Sequence, residues 1–130
     1  MARRYPARGG RTKFTELEPR QELSDPERGF EIRFEDCNLV LTVVDWRDRL
    51  VTFTFSVVYG FIYDGVAPNP SLPEGAALEV LESELLDSMA MAGSIEAQDG
   101  GRHFVVSTNE GEWLQVVAEG LLVQRRPRVK

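Results

Sequence analysis

The stretch Val51-Thr52-Phe53-Thr54-Phe55-Ser56-Val57 alternates apolar and hydroxyl-bearing residues. Successive side chains of a strand point to opposite faces, so this segment reads as a half-buried β-strand. Upstream, Arg47-Asp48-Arg49 is a polar turn, and Leu39 to Trp46 is a β-rich run with apolar residues on both faces. Such a run suits a central strand or a homodimer seam. Asp36-Cys37-Asn38 is a connection. Before it, Phe30, Ile32 and Phe34 alternate with Glu31, Arg33 and Glu35. Strands joined by connections this short imply an antiparallel meander.

Downstream, Gly60 marks a bulge, and Phe61-Ile62-Tyr63 continues or turns the strand before Asp64-Gly65. Pro68, Pro70, Pro73 and Gly75 make residues 66–75 a loop. The pattern then changes. Leu78, Leu81, Leu85 and Met89 recur at helical spacing, which predicts a helix over 84–91 with Ser83 as N-cap. Residues 77–82 fit either a short strand or an earlier helical start. His103 to Ser107 and Trp113 to Ala118 flank an Asn109-Glu110-Gly111 hairpin turn. Glu119-Gly120 reads as a second turn before Leu121-Leu122-Val123. At the other end, Phe14-Thr15-Glu16-Leu17 is an edge strand or a lead-in, and a short helical turn is expected near Pro26. The expected fold is α+β: a mainly antiparallel sheet of five to seven strands, covered on one face by one main helix.

A length of 130 residues allows one domain. The single Cys excludes an internal disulfide and Cys-based zinc sites, and the single His excludes any two-imidazole site. No apolar run approaches the roughly 20 residues of a membrane span, and no apolar stretch follows the basic start. A cytoplasmic setting is expected. Charge is segregated. Residues 1–13 and 125–130 carry only basic charges, while 14–124 hold all 21 acids against six Arg, a net of −15. The expected organisation is thus a basic tail at 1–13, one domain at 14–124 and a basic tail at 125–130. Charge blocks of this kind govern association rather than fold.

The chemistry-bearing residues form no recognised motif. Gly-x-Ser-x-Gly and both phosphate-binding glycine patterns are absent. Cys37 and His103 form a dyad only if the fold joins them. Glu31, Glu35 and Asp36 fit a solvated strand face better than a metal site. Neither cofactor nor metal is expected. Trp46, bracketed by Asp45, Arg47 and Asp48, has the character of a binding anchor with a charged rim.

The run His103-Phe104-Val105-Val106-Ser107-Thr108-Asn109, followed by Trp113-Leu114-Gln115-Val116-Val117-Ala118, resembles a group of small uncharacterised bacterial α+β proteins. In that group a Ser-led helix precedes a His-aromatic-aliphatic strand; Glu82-Ser83 and Leu85-Leu86 correspond to the helix start. Some of these proteins are similar to immunity proteins of bacterial toxin systems. The resemblance spans residues 30–120 and implies no catalytic residue. The expected function is therefore non-enzymatic protein interaction, with an acidic surface meeting a basic partner. Asp45, Trp46, Asp48, Tyr63 and Asp64, at strand ends of the meander, are the expected contacts. The alternative is a nucleic-acid-associated module that binds through its basic tails.

Overall fold

A computed structural model describes residues 2–4, 14–17, 23, 26, 29–69, 71–95 and 100–127. In chain order the elements are β1 (Ala2–Arg4), β2 (Phe14–Glu16), β3 (Glu31–Glu35), β4 (Asn38–Val44), β5 (Arg49–Asp64), β6 (Ala77–Val80), α1 (Glu84–Met91), β7 (Arg102–Ser107) and β8 (Trp113–Pro127). Seven strands follow the order β2-β6-β7-β8-β5-β4-β3, and β1 pairs with β8 beside that path. Every pairing is antiparallel. The α+β class is as expected, with the sheet dominating.

The meander forms where the alternation predicts it. The β3–β4 hairpin closes on Asp36 and Cys37, both at positive φ, the conformation that matches a two-residue turn to the twist of its strands. Residues 77–82, open on sequence grounds, resolve as strand over Ala77–Val80. Helix α1 spans the predicted residues, and Ser83 Oγ accepts the Leu86 N–H at its start. The helix carries no buried residue, so its cover of the sheet is slight. Pro26 is not helical, and its immediate neighbours lie outside the described residues, as do 5–13 and 128–130 of the two basic segments. Within those segments, Ala2–Arg4 pair with Leu122–Gln124, and Arg125–Pro127 are the last residues of β8.

The core lies between two halves of the same sheet. Phe55 and Phe104 have ring centroids 5.6 Å apart. Their register partners on β8, Leu121 and Val116, are five residues apart, so a flat sheet would hold the rings roughly 15–20 Å apart. Phe34 and Phe61 likewise meet at 5.5 Å although β4 separates β3 from β5. The sheet therefore folds over on itself. One layer holds β3, β4, the first half of β5, the second half of β8 and β1. The other holds the second half of β5, the first half of β8, β7, β6 and β2. The inward rows, including Leu41, Phe53, Phe55, Phe104, Leu114 and Val123, are fully or almost fully buried. Each such side chain contributes about 1.5–3 kcal/mol by leaving water.

The bend has identifiable causes. The β5–β8 register shifts between Val58 and Gly60. Val57 opens that bulge at φ 53, a conformation a β-branched residue adopts only under strain. Opposite, a Cβ on Gly120 would stand 2.7 Å from Ser56 Oγ, so a larger residue there requires the serine hydroxyl to move. Two sequence expectations change here. Val57, which the alternation points inward, is 43% exposed because the bulge turns it out. Glu119-Gly120 does not reverse the chain: Trp113 to Pro127 is one bent strand. β4 is an interior strand between β3 and β5, and its residues on both faces are largely buried.

Candidate functional site

The outer face of the second layer carries a cleft of about 770 Å³, a size typical of small-ligand sites. Period-two alternation places His103 on this face of β7, and Gln115 faces the same way on β8. The loop after β5 forms one wall, pinned down because Leu72 packs with Ala76, Leu78, Val105 and Trp113 in a second apolar cluster. The opposite wall is the start of α1, from Leu81 to Asp87.

At the floor, three side chains form a chain of hydrogen bonds. His103 Nε2 lies 2.9 Å from Gln115 Oε1, and Nδ1 lies 2.8 Å from Ser83 Oγ. A carbonyl oxygen only accepts, so Nε2 carries the ring proton. Nδ1 is then the acceptor, and the Ser83 hydroxyl donates to it while accepting from Leu86 N–H. His103 and Ser83 are both buried. Burial pushes the His103 pKa below the ordinary value, only partly offset by the bond to Gln115, so the imidazole is neutral at pH 7.

A depressed folded-state pKa has a definite consequence for stability. The unfolded chain takes up the proton first, near the ordinary histidine value of about 6.5. The contribution from neutral His103 is thus present above that pH and is lost as pH falls through the folded-state value. Tm is expected to fall between pH 7 and pH 5 more steeply in the native protein than in His103→Gln. Parallel melting curves over that range would contradict this.

The residues expected as contacts fall into two groups along the chain. Asp45 is buried and spent on its own turn: its carboxylate accepts the N–H groups of Arg47 (3.0 Å) and Arg49 (2.8 Å) and pairs with the Arg49 guanidinium (2.9 Å). Trp46 is 56% exposed, with the Arg47 guanidinium 4.7 Å over its ring. Asp48 completes this turn at φ 61. Tyr63 and Asp64 end the 16-residue β5; Tyr63 packs on Phe30 and donates to Glu112, and Asp64 accepts the Gly65 N–H. Cys37 is exposed in the β3–β4 turn, and the imidazole partners of His103 are Ser83 and Gln115, not a thiol. Among the described residues no group of three acids, Cys or His is placed to hold a metal. No helix among them is long and apolar enough to cross a membrane.

Tyr63 and Asp64 belong to a second feature. Within β5, β4 pairs only with Leu50–Phe55, and the Val58 N–H still donates to Cys37 O, so Gly60 to Asp64 has no strand partner on that side among the described residues. Phe61, Ile62 and Tyr63 are exposed there, and Phe34 and Phe30 lean on the edge from β3 and its approach. Glu112 accepts from both Tyr63 OH and Phe30 N–H.

The Ser83–His103–Gln115 chain escapes a reading of motifs. Its one local signal is Ser83 in a capping position. Joining it to His103 and Gln115 requires the register of a hairpin and the docking of a helix. Comparison of the chain with protein-family models, curated proteins and solved structures found no match.

Proposed function

We propose that this is a protein-interaction domain that captures an extended basic segment of a partner along the open edge of β5. The observation behind the reading is the stretch Gly60–Asp64, which has no strand partner on its β4 side among the described residues, with exposed Phe61 and Tyr63 and the acids Glu35, Asp36 and Asp64 exposed around it. An incoming strand gains main-chain hydrogen bonds along such an edge, and its alternate side chains supply specificity. The acids select Lys and Arg on that strand and speed the encounter. Like charge disfavours pairing of two copies of this edge. Tyr63 and Asp64 keep their expected role as contacts, while Asp45 is committed to its own turn. The more specific form of the proposal is an immunity-like role in the cytoplasm, with a basic bacterial toxin as the partner. A toxin gene beside this one supports that form.

The test is fluorescence polarisation with a labelled peptide alternating valine and lysine, against its valine–glutamate counterpart. The lysine peptide is expected to bind, to weaken in high salt, and to lose about tenfold or more in affinity (~1.4 kcal/mol) in a Phe61→Lys, Tyr63→Lys double variant. Equal binding of both peptides, or an unaffected double variant, refutes the edge as the docking site.

A further inference from the structure

We infer that Ser83 is an acyl-accepting nucleophile, with His103 as its general base, and that the cleft beside them takes small uncharged or cationic esters. This activity is separate from the edge of β5 and stands or falls without it.

The geometry is that of an activated hydroxyl: a nucleophile bonded to a base whose other nitrogen is held by a third group. Ser83 Oγ is 2.8 Å from His103 Nδ1, and His103 Nε2 is 2.9 Å from Gln115 Oε1. All three residues line the cleft. Gln115 is a positioning residue. By accepting from Nε2–H it leaves the Nδ1 lone pair free to take the serine proton, although an amide stabilises the resulting imidazolium less than a carboxylate would. The Leu86 N–H holds Oγ in place. The N–H groups of Glu84 and Leu85 open the same helix, and first-turn N–H groups have no intrahelical acceptor, so they are the donors available to an oxyanion.

In the acylation step, Oγ attacks the ester carbonyl carbon while its proton passes to Nδ1. The tetrahedral adduct then breaks its bond to the alcohol oxygen, which leaves with the proton from Nδ1. Water releases the acyl group by the same route, His103 again taking and returning a proton. The substrate class follows from the walls. Phe14, Leu72, Val80 and Leu85 offer apolar contact, whereas Glu82, Glu84 and Asp87 repel an anionic ester.

The test is labelling with a fluorophosphonate probe and hydrolysis of p-nitrophenyl butyrate, read by peptide mass mapping and by rate against pH. One adduct is expected, on Ser83, absent from Ser83→Ala. Ser83→Asn, which retains an acceptor for the Leu86 N–H and so keeps the cap, is also expected to take no label. The labelling rate should fall in acid as His103 takes up a proton. Gln115→Glu places a carboxylate against Nε2, and is expected to raise the rate about tenfold and move the pH profile. A hydrogen-bonded pin for the helix with no chemistry would not produce that gain. Folded native protein without a Ser83 adduct, or labelling that persists in His103→Gln, or a rate unmoved or lowered by Gln115→Glu, overturns the inference.

Discussion

Phe55→Ala is expected to destabilise the protein by about 3–5 kcal/mol. Phe55 is fully buried, and its ring lies 5.6 Å from that of Phe104 and 6.5 Å from that of Phe53. It is one of the places where the two halves of the folded sheet touch. Truncation removes the transfer term and leaves a cavity that both layers must move to fill. A domain of this size holds about 5–15 kcal/mol in total, so one ring carries a large share. In urea the midpoint should fall with the slope unchanged, and Tm should drop by roughly 10–20 °C. A loss below about 1 kcal/mol would mean that the layers do not pack through this ring.

Arg102→Met is expected to cost about 3–5 kcal/mol for a different reason. Arg102 grips Glu79 with two bonds, Nε to Oε2 at 2.9 Å and Nη2 to Oε1 at 2.6 Å, and its guanidinium lies 5.0 Å over the Phe104 ring. The two side chains are only 10% and 9% exposed. Removing the cation leaves a carboxylate on β6 with little access to water. Removing both charges, in Glu79→Leu with Arg102→Met, leaves no such orphan and should recover most of the loss. A double-mutant cycle measures this directly. If the double variant is as unstable as the sum of the singles, packing of the arginine stem, not its charge, is what matters.

The pattern of these residues explains what the sequence disclosed. Phe53 and Phe55 alternate with threonine, and Phe104 and Val106 belong to a hairpin with a clear turn, so strands and inward faces were legible. Helix α1 was legible to the residue because Ser83 and the leucine spacing are local signals. The folding-over was not. Gly120 has the composition of a turn but serves a close approach to Ser56, and the strained Val57 looks like one more inward-facing residue. The cleft was invisible for a related reason. Ser83, His103 and Gln115 are separated by twenty and twelve residues, and only long-range register joins them.

β5 and β8 run through both layers, so neither layer owns a complete set of hydrogen bonds. Peeling one half away would break the same two ribbons that hold the other. The molecule should therefore open in a single all-or-none event, with amide exchange at Val51 and at Val116 sharing one protection free energy. It is a garment cut from one cloth, with no seam along which a stable fragment could be released.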